Sequence, residues 1–158
     1  MPSEIERKFL LQDESWRAQA RCSMRIRQGY IIGSAKASVR VRVSDDSAWL
    51  TVKSATEGVS RAEFNYEIPA SDAEQLIDTL CARPLIEKTR HFVDHGGRCW
   101  EIDVFEGDNA GLVVAEVELA SEDERFELPP WAGEEVSDDP RYYNASLVNL
   151  PYSRWKGA

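Results

Sequence analysis

The chain of 158 residues carries 28 Asp and Glu against 19 Lys and Arg, a net charge of −9. That balance argues against nucleic-acid binding, which needs a basic footprint, although net charge describes the far field and not the inside of a cavity. With 42% hydrophobic and 30% charged residues the composition is globular, and the length suits one domain over residues 1–158. Cys22, Cys81 and Cys99 are odd in number and lack C-x-x-C spacing. They argue against a disulfide framework or a zinc site, and for a reducing compartment. Glu4, Glu6, Arg7 and Lys8 stand where a signal peptide needs an apolar core, and no apolar run approaches the roughly 20 residues of a membrane span. The expectation is a soluble, cytoplasmic protein without a membrane partner.

Period-two alternation marks most of the chain as short strands. The first, over 3–10, puts Glu4, Glu6 and Lys8 on one face and Ile5 and Phe9 on the other. A helical patch follows at 13–21, then strands at 24–32 and 38–44, the latter opposing Arg40 and Arg42 to Val39, Val41 and Val43. Asp45-Asp46 is a hairpin break before a strand at 48–54, where Lys53 opposes Val52. Glu57-Gly58 marks another turn, and a strand at 62–68 opposes Glu63 and Glu67 to Phe64, Tyr66 and Ile68. A helix at 71–82 opens with Ser71 and Glu74 in capping-box spacing. Strands at 85–94 and 98–106 flank the turn His95-Gly96-Gly97, with Glu101 and Asp103 opposite Ile102 and Val104. The strand at 112–120 sets Glu116 and Glu118 against Val117 and Leu119. Acidic stretches at 122–127 and 134–139 read as solvated loops, and a helix at 140–149 opens with the N-cap Asp139 and Pro140.

Eight short strands with few helices point to a mainly β, closed antiparallel barrel, because closure removes exposed edges. One face of each strand must then line an interior wide enough only for side chains or one small ligand. Either the apolar face fills it, or the charged face lines it and helices cover the apolar face. Trp16, Ala18, Leu76, Ile77, Leu80, Leu147 and Leu150 in the helical patches favour the second arrangement slightly. A charged lumen is costly unless its charges are paired or meet a charged ligand. Alternation alone leaves both arrangements open.

Carboxylates at i and i+2 lie about 7 Å apart, a spacing that suits a hydrated hard cation, which takes one or two carboxylates plus waters and phosphate oxygens. Glu4/Glu6, Glu101/Asp103 and Glu116/Glu118 share this spacing. Arg40/Arg42, Lys88/Arg90, Lys8 and Lys53 form the basic counterpart, with Arg offering bidentate and Lys point-charge contacts to phosphate. Plain cross-strand ion pairing on a surface is the other account of the same residues. His91 and His95 read as a strand-end and a turn residue, and the cysteines as small packing side chains. Trp49 and Phe105 read as packing at the barrel ends, with stacking on a base or a thiamine ring as the alternative.

Glu4-Ile5-Glu6-Arg7-Lys8-Phe9 resembles the E-x-E-x-K signature of the CYTH superfamily, the triphosphate tunnel metalloenzymes. The resemblance continues in order through Gln28-Gly29-Tyr30, Val39 to Arg42, Thr51-Val52-Lys53, Arg61-Ala62-Glu63, Glu87 to Arg90, Trp100 to Phe105 and Gly111 to Leu119. It ends with Trp131 to Val136 and Tyr142-Tyr143-Asn144. It implies an eight-stranded tunnel with its polar face inward. It also implies metal held by Glu4, Glu6, Glu116 and Glu118, as Mg²⁺ or Mn²⁺, and substrate held by Lys8, Arg40, Arg42, Lys53, Lys88 and Arg90. Glu101 and Asp103 would complete the acidic side in a water-activating or metal role, and Glu63 and Lys88 would join the catalytic set. Many relatives carry Glu where this chain has Asn65, so Glu63 would instead buttress a tunnel cation. The implied activity is metal-dependent hydrolysis of inorganic triphosphate to diphosphate and phosphate, by a monomer or homodimer. The alternatives are a class IV-type adenylate cyclase, a thiamine triphosphatase, or a non-catalytic triphosphate-binding module.

Overall fold

The computed structural model describes residues 3–33, 36–55 and 59–155. The nine strands are β1 (Ser3–Leu11), β2 (Ala20–Gly33), β3 (Ala37–Ser44), β4 (Ser47–Ser54), β5 (Ser60–Ile68), β6 (Ile86–His95), β7 (Arg98–Phe105), β8 (Val113–Glu118) and β9 (Ala132–Glu135). They pair antiparallel in the order β5-β4-β3-β2-β6-β7-β8-β1-β9, and a β5–β1 pairing closes the first eight of these into a barrel. The closing seam is short, running from Ser3↔Ala62 to Ile5↔Ser60. Beyond it β9 takes the same edge of β1, so no unpaired ladder is left there.

The alternation now has a physical outcome: apolar residues face outward and most of that face is covered, Tyr66 of β5 being the exposed exception. Phe9, Trp100, Ile102 and Val117 pack beneath Trp16 of a short 3-10 turn (Ser15–Gln19) and Trp131 at the entry to β9. Ile86, Phe105 and Val114 pack against Tyr142, Leu147 and Val148 of the C-terminal segment, which contains α2 (Asn144–Asn149). Val41 and Ala48 pack against Ala73 and Ile77 of α1 (Ala70–Thr79). With the outside apolar and mostly covered, the charged face can only line the lumen.

Four local expectations need correction. The patch at 13–21 is a single 3-10 turn, because Asp13 Oδ1 accepts hydrogen bonds from Ser15 N and Oγ and the chain then enters β2 at Ala20, opposite Val93. The Ser71/Glu74 capping box does not form. Pro69 holds the N-cap of α1 without a side-chain cap, and Glu74 pairs with Arg27. The C-terminal helix is broken in two: Asp139 caps a 3-10 turn over Pro140–Tyr142 by accepting from Arg141 N, and Tyr143 is extended before α2 begins. β9, which includes Glu134 and Glu135 of a stretch read as loop, was not expected as a strand. The turn at Glu57-Gly58 lies outside the described residues.

Two glycine sites are dictated by geometry. Gly96 and Gly97 form the two-residue β6–β7 turn with φ of +61° and +75°, the double positive-φ turn that matches strand twist. Gly29 in β2 lies under the α1–β6 connection, and a Cβ there would sit 2.7 Å from Cys81 Cβ and 2.8 Å from Leu85 Cδ2. Gly29→Ala should therefore cost about 1–3 kcal/mol in denaturant unfolding, the usual penalty of overpacking. Among the described residues no helix is long and apolar enough to cross a membrane.

Candidate active site

The lumen is a cavity of about 790 Å³, open to solvent, lined by residues of all eight barrel strands, with its carboxylates and cations drawn from β1 and β3 to β8. Register sets its layers. β1 places Glu6 and Lys8 opposite Glu118 and Glu116 of β8, and Glu116 faces Glu101 of β7. β7 places Asp103 opposite Arg90 of β6. β3 places Arg40 opposite Thr51 of β4, and β4 places Lys53 opposite Glu63 of β5.

Lys8 bridges two acids, with Nζ 2.8 Å from Glu116 Oε1 and 3.0 Å from Glu6 Oε1. Against the downward push of burial, those carboxylates hold its ammonium above the ordinary range. Lys53 also bridges two acids, Glu4 at 2.8 Å and Glu63 at 3.2 Å, but burial and the nearby Arg40 and Arg61 lower its pKa. Asn65 is a relay: it accepts from Thr51 Oγ1 at 2.6 Å and donates to Glu63 Oε1 at 2.7 Å. Thr51 in turn accepts from Arg40 Nη2 at 3.4 Å.

Asp103 is fully buried and committed. It accepts from Lys88 Nζ at 2.7 Å and from Arg90 Nε and Nη2 at 2.8 and 2.9 Å. Burial pushes its carboxyl up, but Arg90 and Lys88 outweigh this and hold it well below the usual carboxylate range. Burial likewise drives Lys88 down to about 7, opposed by Asp103. Glu101 touches Arg90 Nη1 at 3.0 Å and is otherwise surrounded by acids, so its pKa is raised by burial and by Glu116 and Asp103.

Two groups of charges are left without counterions. Arg40 and Arg42 have no carboxylate partner among the described residues. Arg40 is 9% exposed with its Nε buried and unbonded, and Arg42 donates from Nε to the neutral Gln28 Oε1 at 2.7 Å. Burial and the adjacent Arg40 and Arg90 destabilise the charged Arg42 guanidinium. Across the lumen Glu118 has no cationic partner among the described residues, and burial together with Glu4, Glu6, Glu63 and Glu101 raises its pKa. Arg40 and Arg42 thus lack an anion, and Glu118 lacks a cation, among the described residues.

Of the candidate residues, Glu4, Glu6, Lys8, Arg40, Arg42, Lys53, Glu63, Lys88, Arg90, Glu101, Glu116 and Glu118 line this one cavity, and Asp103 sits directly behind Lys88 and Arg90. Trp49 lines it too, whereas Phe105 is packed in the outer core with its ring 5.3 Å from Lys88 Nζ. Three further site residues stand in the motif blocks but carry no role from sequence. Arg61 contacts Glu4 at 3.3 Å and Glu6 at 3.8 Å, and its i−2 relation to Glu63 was the available signal. Gln28 is fully buried beside Arg42. Asn144, at the start of α2, enters the lumen from outside the barrel strands, so no strand pattern reveals it.

Among the described residues no three His, Cys, Asp or Glu side chains are arranged to hold a metal ion by themselves. The donor set nevertheless fits a hard divalent cation, which needs only one or two carboxylates and takes its other oxygens from water and phosphate. An unpaired Glu118 beside Glu4, Glu6 and Glu116 supplies that environment.

A closed barrel whose lumen sets two arginines without carboxylate partners across from a carboxylate without a cation, Glu118, defines a tunnel for a condensed phosphate and its cation. The chain belongs to the CYTH domain family, whose pattern matches residues 2–143. It is 45% identical over 156 residues to the inorganic triphosphatase of Acetivibrio thermocellus, covering 99% of each chain. It is 36% identical over 150 residues to the inorganic triphosphatase of Nitrosomonas europaea, covering 92% of this chain and 97% of that one. The crystal structure of the inorganic triphosphatase NE1496 superposes with a TM-score of 0.67 at 34% identity, covering 94% of this chain and 95% of that one.

Proposed function

We propose that this protein hydrolyses inorganic triphosphate to diphosphate and phosphate inside the tunnel, with Mg²⁺ or Mn²⁺. The observation that carries the reading is the pair of lumen arginines, Arg40 buried and Arg42 half-buried, without a carboxylate partner among the described residues. Buried guanidiniums left in that state are costly unless an anion joins them. Lys88, Arg90, Lys8 and Lys53 line the same cavity as these arginines, so the lumen offers several cations to one polyanion.

Phosphoryl transfer leaves the protein mainly positioning and charge neutralisation. In this reading Arg40, Arg42, Lys53, Lys88 and Arg90 clamp the non-bridging oxygens. Asp103, already committed to Lys88 and Arg90, is a positioning residue, not a base. Glu101 is the better proton acceptor, because its raised pKa strengthens its carboxylate as a base and it faces the open lumen. Water adds to a terminal phosphorus, the bond from that phosphorus to the bridging oxygen breaks, and the departing diphosphate keeps that oxygen. Lys88 neutralises its charge. Glu4, Glu6, Glu116 and Glu118 would hold the divalent ion, which when bound supplies charge neutralisation and polarises a phosphoryl oxygen.

Residues Tyr143 to Ser146 of the C-terminal segment wall off part of the lumen, which favours a compact triphosphate over one with a nucleoside tail. Tripolyphosphate should be cleaved with at least about tenfold higher kcat/KM than ATP or thiamine triphosphate, a ratio that needs only about 1.4 kcal/mol of differential transition-state binding. Side-by-side phosphate release decides it. Equal efficiency on ATP would assign Trp49 to base stacking, and formation of cyclic AMP at a competing rate would replace the hydrolase with a cyclase.

A further inference from the structure

Asn144 does something that neither the strand pattern nor the carboxylate spacing accounts for. Its Oδ1 accepts from Lys88 Nζ at 2.8 Å and from Gln28 Nε2 at 3.0 Å. Gln28 Oε1 accepts in turn from Arg42 Nε at 2.7 Å, and Lys88 donates on its other side to Asp103 Oδ2 at 2.7 Å. One amide from the C-terminal segment therefore sits between two cations that have no other tie to each other. The segment itself is held by apolar docking, with Leu147 fully buried and Tyr142 and Val148 nearly so, and by Tyr152 N donating to Asn109 Oδ1 at 2.8 Å.

The geometry of an ammonium makes this consequential. Lys88 has three donors in a tetrahedral array and no acceptor. Asp103 takes one and Asn144 a second, so the direction of the third is fixed in the cavity that Lys88 lines. Without Asn144 the ammonium can rotate about its contact to Asp103, and two donors compete for the substrate oxygen. Gln28 stands in the same relation to Arg42: its amide orientation is set because its Nε2 is given to Asn144 and its Oε1 to the guanidinium.

We infer that Asn144 is a positioning residue for the reaction, fixing Lys88 directly and Arg42 through Gln28, so that the C-terminal segment is part of the phosphate-binding machinery and not only a cover for the barrel. The inference rests on the triphosphatase reading given above. Docking of residues 140–155 and alignment of the two cations are then one event, and the segment couples its own docking to turnover.

Asn144→Ala removes the acceptor and Asn144→Asp keeps it, so the pair separates positioning from packing. Asn144→Ala should lower kcat on tripolyphosphate about 10- to 100-fold, the range of a lost hydrogen bond to a charged group, while KM moves less than about threefold. Asn144→Asp should recover most of the kcat. A second readout does not use catalysis: the Lys88 ammonium protons, followed by NMR in ¹⁵N-lysine protein without substrate, should be protected from solvent exchange in the unsubstituted protein and in Asn144→Asp, and unprotected in Asn144→Ala. Wild-type kcat in Asn144→Ala, or unchanged Lys88 protection, overturns the inference. So does equal loss in both variants accompanied by a large fall in melting temperature, since that marks packing alone. If the unsubstituted protein does not cleave tripolyphosphate but the protection pattern holds, the triphosphatase reading fails while the coupling of Asn144 to Lys88 stands.

Discussion

Asp103→Asn is expected to damage both the fold and the reaction, more than any other lumen substitution. Asp103 is fully buried, and its two oxygens hold Lys88, itself 1% exposed, and Arg90 in three hydrogen bonds. An amide is the same size but cannot balance two buried positive charges, and it can accept through only one oxygen. Breaking a buried pair by removing one partner costs about 3–5 kcal/mol, because the remaining charge stays buried. The folded-state pKa of Asp103 is depressed, so its contribution is present above the ordinary carboxylate range and lost only as pH falls through the lower folded value. The deficit of the variant should therefore be full at neutral pH in urea unfolding. Its kcat on tripolyphosphate should fall at least about 100-fold, since both Lys88 and Arg90 lose their orientation. Near-normal stability would show that the lumen cations are balanced elsewhere.

Glu118→Gln should give the opposite pairing, a large loss of activity with no loss of stability. Glu118 lies exposed at the acidic side of the lumen, has no cationic partner among the described residues, and is pushed up by burial and by Glu4, Glu6, Glu63 and Glu101. A carboxyl group with a raised folded-state pKa contributes stability that is complete below its ordinary range and lost as pH rises through the raised value. Gln escapes that loss, so at neutral pH the variant should melt at the same temperature as the parent or slightly higher. The same carboxylate is where the divalent ion gains most, and kcat should fall about 100-fold or more at fixed Mg²⁺, with partial recovery at higher concentration. Unchanged kcat would remove Glu118 from the cation site. A fall in melting temperature would mean that it is a structural ion-pair member.

The contrast between these two acids also explains what the sequence could and could not convey. Period-two alternation located Glu118, Asp103, Lys88 and Arg40 on one face, and register then collected that face into one lumen. Alternation could not say whether the face looked inward, because an apolar-in barrel has the same pattern. The covers decide it: Trp16, Trp131, Ile77 and Leu147 each bury against outward-facing strand residues. Nor does alternation say which charges neutralise one another. Asp103 and Glu101 look equivalent two residues apart, yet one is locked between two cations and the other is left basic among acids. Asn144, which enters from outside the strand pattern, stands in a motif block but received no role, and β9 was not assigned as a strand because Ala132 to Glu135 is short, acidic and defined by its pairing with β1. The helix caps failed where a neighbour competed: Arg27 draws Glu74 away from the start of α1.

In the proposed function the lumen charges bind a triphosphate and a divalent cation and cleave the phosphoanhydride. Phosphorus NMR of tripolyphosphate incubated with the intact protein tests it most directly. With Mg²⁺ or Mn²⁺ the triphosphate resonances should give way to diphosphate and phosphate in equal amounts, and excess chelator should halt the conversion until metal is restored. Persistence of tripolyphosphate in the presence of metal, or undiminished cleavage in excess chelator, would contradict the account.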